Sequence, residues 1–449
     1  MTVAWELELL TNQKEEQSVI DMISGILLLV TFIGLIVYCM KGGNLLVGFI
    51  ATSILWCIIG WVPIHIVVTD IFQTSVENYG KTIAIIVFGA WFGRMLVDTG
   101  IAGYIIKKTV ELAGDKPLIT TLLLSIVCVL IFTSAFGVGS VMAIGMIVLP
   151  ILFSLGIDKK TALGAYLLAV SGGMYLNIAY VSQFFAVFKN VKYNDQYIHF
   201  AVIATIVHIA VMVAFILYNY SRVQKGGRTR AWAASTAPEV KVNKNLRWDC
   251  MVVPFVPIIM VSFFKWQPVP SFLLGIFLGL LLTGNMGSYS LAVERIQKTL
   301  YDGIADSGLL IGMLYSVNIF QAAAKQVSPI LQNLLGGIIP TTPVVILIAV
   351  CALAPLALFR GPLMIWGSGI ALVSILQAMG IFSEMFLFAL FLIPPVAIVA
   401  GACPTQSWTM WGLSYAKLEP KQYIKTNLPW AWVILIIVEI VAFIMIGNV

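Results

Sequence analysis

The chain has 449 residues, 60% of them hydrophobic and only 10% charged, with a mean hydropathy of +0.99. A composition this apolar excludes an ordinary soluble globular protein, and apolar runs this long and continuous exclude an outer-membrane barrel. The net charge of +6 comes largely from one linker, so it speaks to membrane topology and implies no nucleic-acid partner.

The predicted class is an all-α polytopic membrane protein of the cytoplasmic membrane. The first twenty residues are acidic (Glu6, Glu8, Glu15, Glu16), and no cleavable signal is read in them. Residues 22–40 form a first span of full length and 44–61 a second, extending towards Val68 unless Pro63 ends or bends it. A polar link, 70–81, precedes a third span at 82–106, which carries Arg94 and Asp98. After Lys107, Lys108 and Lys116 come two apolar runs, 118–132 and 141–155, each too short to cross alone. Between them lies a stretch with Thr133, Ser134, Gly137, Gly139 and Ser140, which reads either as the tip of a re-entrant hairpin or as a glycine-rich kink. Residues 161–188 are interrupted at Ser171-Gly172-Gly173, and 199–220 complete the first half.

The linker 221–249 holds seven basic residues, which marks it as cytoplasmic. After it come 250–264, 272–283, a charged loop (Glu294, Arg295, Lys298, Asp302, Asp306), 309–325, 342–379, 385–414 and 428–446. Counting outward from the linker, Lys159 and Lys160 fall inside, as Lys107, Lys108 and Lys116 also require. Residues 118–155 must then enter and leave on one side, which a hairpin or two complete spans can do and a single crossing cannot. Both termini fall outside the cytoplasm, and Lys417, Lys421 and Lys425 fall inside.

Five crossings plus one hairpin per half would place the second half upside down relative to the first, the inverted-repeat plan of many secondary transporters. The units are 1–220, with a hairpin at 117–155 and a broken helix at 161–188, and 250–449, with a hairpin at 342–379 and a broken helix at 385–414. Gly137, Gly145 and Gly156 precede Gly361, Gly369 and Gly380 by 224 positions, and Gly89 and Gly114 precede Gly312 and Gly337 by 223. Ser171-Gly172-Gly173 and Asn177 fall on Ala400-Gly401-Ala402 and Gln406 at 229.

The two tips (133–140 and 358–363) and two helix breaks (171–177 and 401–407) are the candidate site. Half-helix N-termini attract anions, and freed carbonyls can instead hold sodium. Arg360 occupies the second tip, where its planar fork suits a carboxylate; the alternative is that it snorkels or pairs with a protein acid. Arg94 and Asp98, four apart, either neutralise each other or serve proton coupling. His208 and Glu439, both mid-span, are either core residues with protein partners or proton carriers. Lys325 reads as a snorkelling residue. Trp408, Trp411, Trp430 and Trp432 read mainly as interfacial anchors, with Trp408 also able to line the site. The six cysteines are scattered singly and read as small core residues; no metal motif, phosphate loop or catalytic cluster is evident.

The stretch from Phe92 to Gly100, a basic turn, the 133–140 tip with Pro150 beyond it, and Gly172-Gly173 together resemble the ion transporter superfamily. The pattern is most similar to gluconate- and citrate-type permeases, and more distantly to divalent anion–sodium symporters. The resemblance spans nearly the whole chain through loose motifs. It implies a proton- or sodium-coupled carrier of a small organic anion, with no cofactor and no enzymatic activity, working as an elevator and often as a homodimer. Carried over by position, it implies substrate contact at Ser134, Gly137, Gly139, Ser140, Arg360 and Gly361 in the tips. In the interrupted helices it implies Gly172, Gly173, Asn177, Thr405, Gln406 and Ser407. The Ser-Asn-Thr signature of the divalent anion branch is absent from both tips, and Ala135, Phe136 and Val138 make the first tip unusually apolar. A small, partly apolar monocarboxylate therefore fits at least as well as a polyanion. A cation–proton antiporter resting on Asp98 and Glu439 is the competing reading, followed by a channel and, last, a membrane-embedded enzyme.

Overall fold

The computed structural model describes residues 2–114, 116–225, 246–335 and 340–446. Most of the basic linker, 226–245, and Gly337 lie outside them. Every regular element among the described residues is helical.

The first part of the chain runs α1 (Thr2–Met40), α2 (Leu45–Ile59), then α3 (Ile64–Ile66), a π-helical stretch Val67–Thr74 and α4 (Ser75–Glu77), which lead into α5 (Gly80–Asp98). There follow α6 (Ile101–Ala113), α7 (Pro117–Phe132), α8 (Val138–Ser154), α9 (Lys159–Gly173), α10 (Ile178–Val187) and α11 (Asp195–Lys225). After the linker, a 3-10 segment Trp248–Phe255 leads into α12 (Val256–Ser262), α13 (Pro268–Leu282) and the long α14 (Tyr289–Leu335). Then come α15 (Pro343–Ala352), a 3-10 segment Ala354–Arg360, α16 (Gly369–Met379), α17 (Glu384–Pro394), a π-helical stretch Pro395–Ala400, α18 (Ser407–Ala416) and α19 (Pro420–Met445).

Among the described residues five helices are long and apolar enough to cross a membrane, and seven if each bent pair counts as one span. Several shorter apolar helices of 10–17 residues accompany them. On α1 the exposed residues Ile23, Ile26, Leu27, Val30, Ile33 and Val37 recur at helical spacing, an apolar stripe of the kind a membrane-spanning helix presents to lipid. The protein is a multi-pass helical membrane protein.

Three segments differ from the sequence reading. The run 82–106 is not one helix: α5 stops at Asp98, Gly100 adopts a left-handed φ of +82°, and α6 starts afresh. The charged stretch 294–306 is not a loop but the first part of α14, and two of its charges, Lys298 and Asp306, find partners on α5. The second span ends at Ile59, with Gly60 as its cap, before Pro63 can act.

The kinked-helix reading of 118–155 is also excluded. The chain makes two separate helices of 16 and 17 residues, each roughly 25 Å long at 1.5 Å per residue. They meet at a tip of which Gly137, with φ +102°, is the last non-helical residue. A side chain there would be strained, so the glycine is needed to start α8 at this angle. The order helix–tip–helix, then interrupted helix, then long helix recurs after the linker. In each interrupted helix the second half starts at the step the sequence register indicated: Asn177 caps α10 and Gln406 caps α18. Gly156 and Gly380, the paired turn glycines, both carry left-handed angles at the ends of α8 and α16.

The first tip and α10 lie against α5 through very small residues. A Cβ on Gly89 would meet that of Ala179 at 2.5 Å, and one on Gly93 would meet the Ser140 hydroxyl at 2.5 Å. Gly303 places α14 on the α5 backbone at Trp91 in the same way. Larger side chains would hold these helices apart and open the wall of the site described next.

Candidate functional site

A cavity of about 390 Å³ lies where both tips, both interrupted helices and α14 converge. That volume is in the range of small-molecule sites. The first tip supplies Phe136, Gly137 and Val138, and α10 supplies Tyr180 and Gln183. From α14 come Asp306, Leu309, Leu310 and Met313, and from the second tip Arg360, Met364 and Trp366. The second interrupted helix adds Pro395, Val399, Ala400, Gln406, Ser407 and Trp408. The wall is mainly apolar and aromatic, with a few polar groups set into it.

Arg360 is its free cation. No carboxylate among the described residues lies within 4.0 Å of it, and its one side-chain hydrogen bond is a long one, 3.4 Å from Nη1 to the Trp366 carbonyl. The backbone around it is unusual: Phe359 and Arg360 have φ of +54° and +63°, two adjacent non-glycine residues in the left-handed region. Each costs about 1–2 kcal/mol. The turn is held by Ser368, whose N–H and hydroxyl both donate to the Arg360 carbonyl at 3.0 and 3.2 Å. Strain of this kind persists where the surrounding structure enforces it, and here it sets a guanidinium into a largely apolar cavity.

Two helix N-termini reach the same cavity. Gly137 and Val138 begin α8, and Gln406 and Ser407 begin α18. The first N–H groups of a helix have no partner within it, and they carry the positive end of its dipole. Gln406 Oε1 and Trp366 Nε1 are buried polar atoms without a hydrogen-bond partner among the described residues.

Four of the carbonyls at the breaks accept side-chain hydrogen bonds. Tyr197 and Tyr193 donate to the carbonyls of Tyr175 and Leu176 at 2.6 and 3.0 Å. At the second break Trp408 donates to Ala400, and Tyr423 and Asn427 donate to Gly401, at 3.2, 2.7 and 3.3 Å. Non-helical backbone at membrane depth survives only if satisfied in this way.

Of the residues singled out from sequence, Gly137, Arg360, Gln406 and Ser407 line the cavity, as does Trp408. Asn177 instead ties the first break to the first tip: its amide donates to the Phe132 and Ala135 carbonyls, both at 2.9 Å, and accepts from the Tyr180 N–H at 3.0 Å. Ser134 is buried with an unpartnered hydroxyl, and Ser140 bonds the Phe136 carbonyl at 3.1 Å. Gly172 faces the His208 ring, Gly173 the backbone of Val129 and Phe132, and Gly361 the Leu356 carbonyl. Thr405 contacts the Cys403 sulfur at 3.1 Å.

Arg94 and Asp98 do not neutralise each other. Arg94 makes a two-pronged pair with Asp306 of α14, 2.5 and 2.8 Å long, and Asp98 is held by Lys298 at 2.7 Å. Gly139 sits directly on the Arg94–Asp306 pair, so that a Cβ there would run into both charged groups. Gly139→Ala is therefore expected to lower stability by about 1–3 kcal/mol, read as a lower unfolding midpoint in detergent. An unchanged midpoint would mean that the contact yields freely.

His208 and Glu439 lie away from the cavity lining, both buried. His208 Nε2 meets the Ser171 hydroxyl at 3.1 Å, while His208 Nδ1 and Glu439 Oε1 have no partner among the described residues. Lys325 lines a second, more polar cavity of about 430 Å³ with Asp70, Asn318, Lys189 and Glu384. Along α10 and α14 the two cavities follow one another. On the wall of the second cavity Gln377 donates to the Val187 carbonyl at 3.1 Å and Gln321 donates to Gln377 at 3.2 Å, while Trp366 of the first cavity meets Phe184 edge-on at 5.1 Å.

Sequence comparison finds no matching family model and no matching curated protein. Among solved structures the fold is similar to that of the Alcanivorax borkumensis YdaH transporter, with a TM-score of 0.56 and 14% identity. The match covers 84% of this chain and 88% of that one, so the likeness embraces the whole architecture.

Proposed function

We propose that the protein is a secondary active transporter of a small organic anion, a carboxylate with an apolar body, moved together with a proton. The observation that carries this reading is the unpaired Arg360, set with the N-termini of α8 and α18 into one otherwise apolar cavity. A guanidinium and two helix starts favour a single negative group, and the aromatic and aliphatic wall favours the rest of the molecule. The likeness in fold to a transporter supports transport over catalysis.

The satisfied carbonyls at both breaks support a proton over sodium as the coupling ion. Four carbonyl oxygens there, those of Tyr175, Leu176, Ala400 and Gly401, already accept side-chain hydrogen bonds. The small-residue contacts of the first tip and α10 with α5 support movement of tips and broken helices against α5 and α14, in the manner of an elevator. The Gln321–Gln377–Val187 clasp and the Phe184–Trp366 contact would then close one end of the route.

The test is stabilisation of the purified protein by a panel of carboxylates, each paired with its neutral amide. The reading expects carboxylates with an apolar body to raise the unfolding midpoint and their amides to do nothing. Equal effects of acid and amide, or no effect of any acid, would overturn it.

A further inference from the structure

Asp306 lines the cavity but has no part in the anion site as described so far. It is the one carboxylate among the residues lining the cavity, and it comes from α14, whose charged part sequence alone reads as a loop. Its oxygens take both prongs of Arg94, at 2.5 and 2.8 Å, and the two side chains are 13% and 23% exposed. The pair is thus neither sealed in the core nor free in solvent: Asp306 lies on the wall of the cavity that also holds Arg360, and Arg94 stands directly behind it, off the wall.

We infer that Asp306 links anion binding to a proton: the Arg94–Asp306 pair is a masked second cation of the cavity, and protonation of the Asp306 carboxylate unmasks Arg94 for the substrate's charge. This rests on reading the cavity as an organic-anion site. The step is a simple transfer. A proton adds to one carboxylate oxygen of Asp306, giving a neutral acid, while the guanidinium of Arg94 keeps its charge.

Charge counting shows the consequence. With Asp306 ionised, Arg360, Arg94 and Asp306 sum to one positive charge. With Asp306 neutral they sum to two, and the one carboxylate on the cavity wall no longer repels an incoming anion. The pair also touches the element that would move. Gly139 of the first tip has no room for a Cβ over the two charged groups, and a Cβ on Gly137 would lie 3.8 Å from that of Asp306. A change of charge at Asp306 is therefore felt directly at the tip.

The surroundings offer few competitors. On α5 the other acid, Asp98, is held by Lys298, and on α14 itself Asp302 lies one turn before Asp306. Tyr180 of α10 and Arg360 of the second tip share the cavity wall. The remaining helices packed on this part of α14, namely α2, α8 and α16, carry no charged side chain. Asp70 lies by the second cavity with Asn318 and Lys325, and α1 meets α14 near Leu334.

The experiment measures hexanoate binding to the purified full-length protein by thermal stabilisation between pH 6 and 8, where the probe stays ionised. If one proton enters with the anion, the wild-type dissociation constant rises about tenfold per pH unit across this range. Asp306→Asn, which keeps an oxygen for Arg94, should give a constant that does not vary with pH and matches the wild type's low-pH value. Asp306→Glu should restore the slope. If Asp306→Asn retains the wild-type slope, or if wild type shows no slope, the inference is overturned. If hexanoate fails to stabilise the wild type at any pH, the organic-anion reading beneath it falls instead.

Discussion

Arg360→Gln is expected to abolish most carboxylate affinity while leaving the fold intact or slightly firmer. The guanidinium has no carboxylate partner and one weak hydrogen bond, so the fold loses little with it. Desolvating an unpaired cation at membrane depth is costly, and removing the charge relieves that cost. The substrate, by contrast, loses a charge-assisted, two-pronged contact of about 1.5–3 kcal/mol, or roughly 10- to 100-fold in affinity. Arg360→Lys should fall between the two, because an ammonium keeps the charge without the fork. Binding and unfolding midpoints measured on the same samples check this. A variant that binds normally would show that Arg360 serves the turn of the second tip rather than the ligand.

Asn177→Ala is expected to be the most damaging small substitution in the first half. Three buried backbone groups depend on this one amide: the Phe132 and Ala135 carbonyls and the Tyr180 N–H. Each buried polar group left without a partner costs about 1–3 kcal/mol, and loss of the cap is part of that sum. The total, roughly 3–5 kcal/mol, should lower the unfolding midpoint by many degrees. Asn177→Asp keeps the acceptor for Tyr180 but points a carboxylate at two carbonyl oxygens, so it should do no better. If the alanine variant melts within about two degrees of wild type, the tie between break and tip is not what holds them.

The helical class, the two interrupted helices and the two tips were legible because glycine, proline and polar residues at membrane depth are rare and punctuate apolar runs. Gly137, Arg360, Gln406 and Ser407 came from that punctuation together with the family resemblance laid over it. The rest of the cavity wall was not legible. Phe136, Tyr180, Trp366 and Met313 sit in apolar runs whose residue types look the same whether they face lipid, core or ligand. Asp306 was hidden for a different reason. Its charged neighbours Glu294, Arg295, Lys298 and Asp302 suggest a solvated loop, whereas Lys298 and Asp306 pair with α5 some 200 positions away within one long helix. The same non-local pairing defeated the local Arg94–Asp98 reading, since spacing of four permits a contact without requiring it. Asn177 was picked out as a ligand contact, but its bonds run to backbone, a satisfaction requirement that sequence cannot assign to a partner.

A cavity proposed to carry an organic anion across a membrane together with a proton is put to the test by uptake of radiolabelled hexanoate into proteoliposomes, with and without an imposed pH gradient. Uptake above the passive leak of empty liposomes should be saturable, rise with the gradient, collapse when a protonophore is added, and be lost in Arg360→Gln. Uptake equal to that of empty liposomes, or uptake untouched by the gradient and by Arg360→Gln, would contradict it.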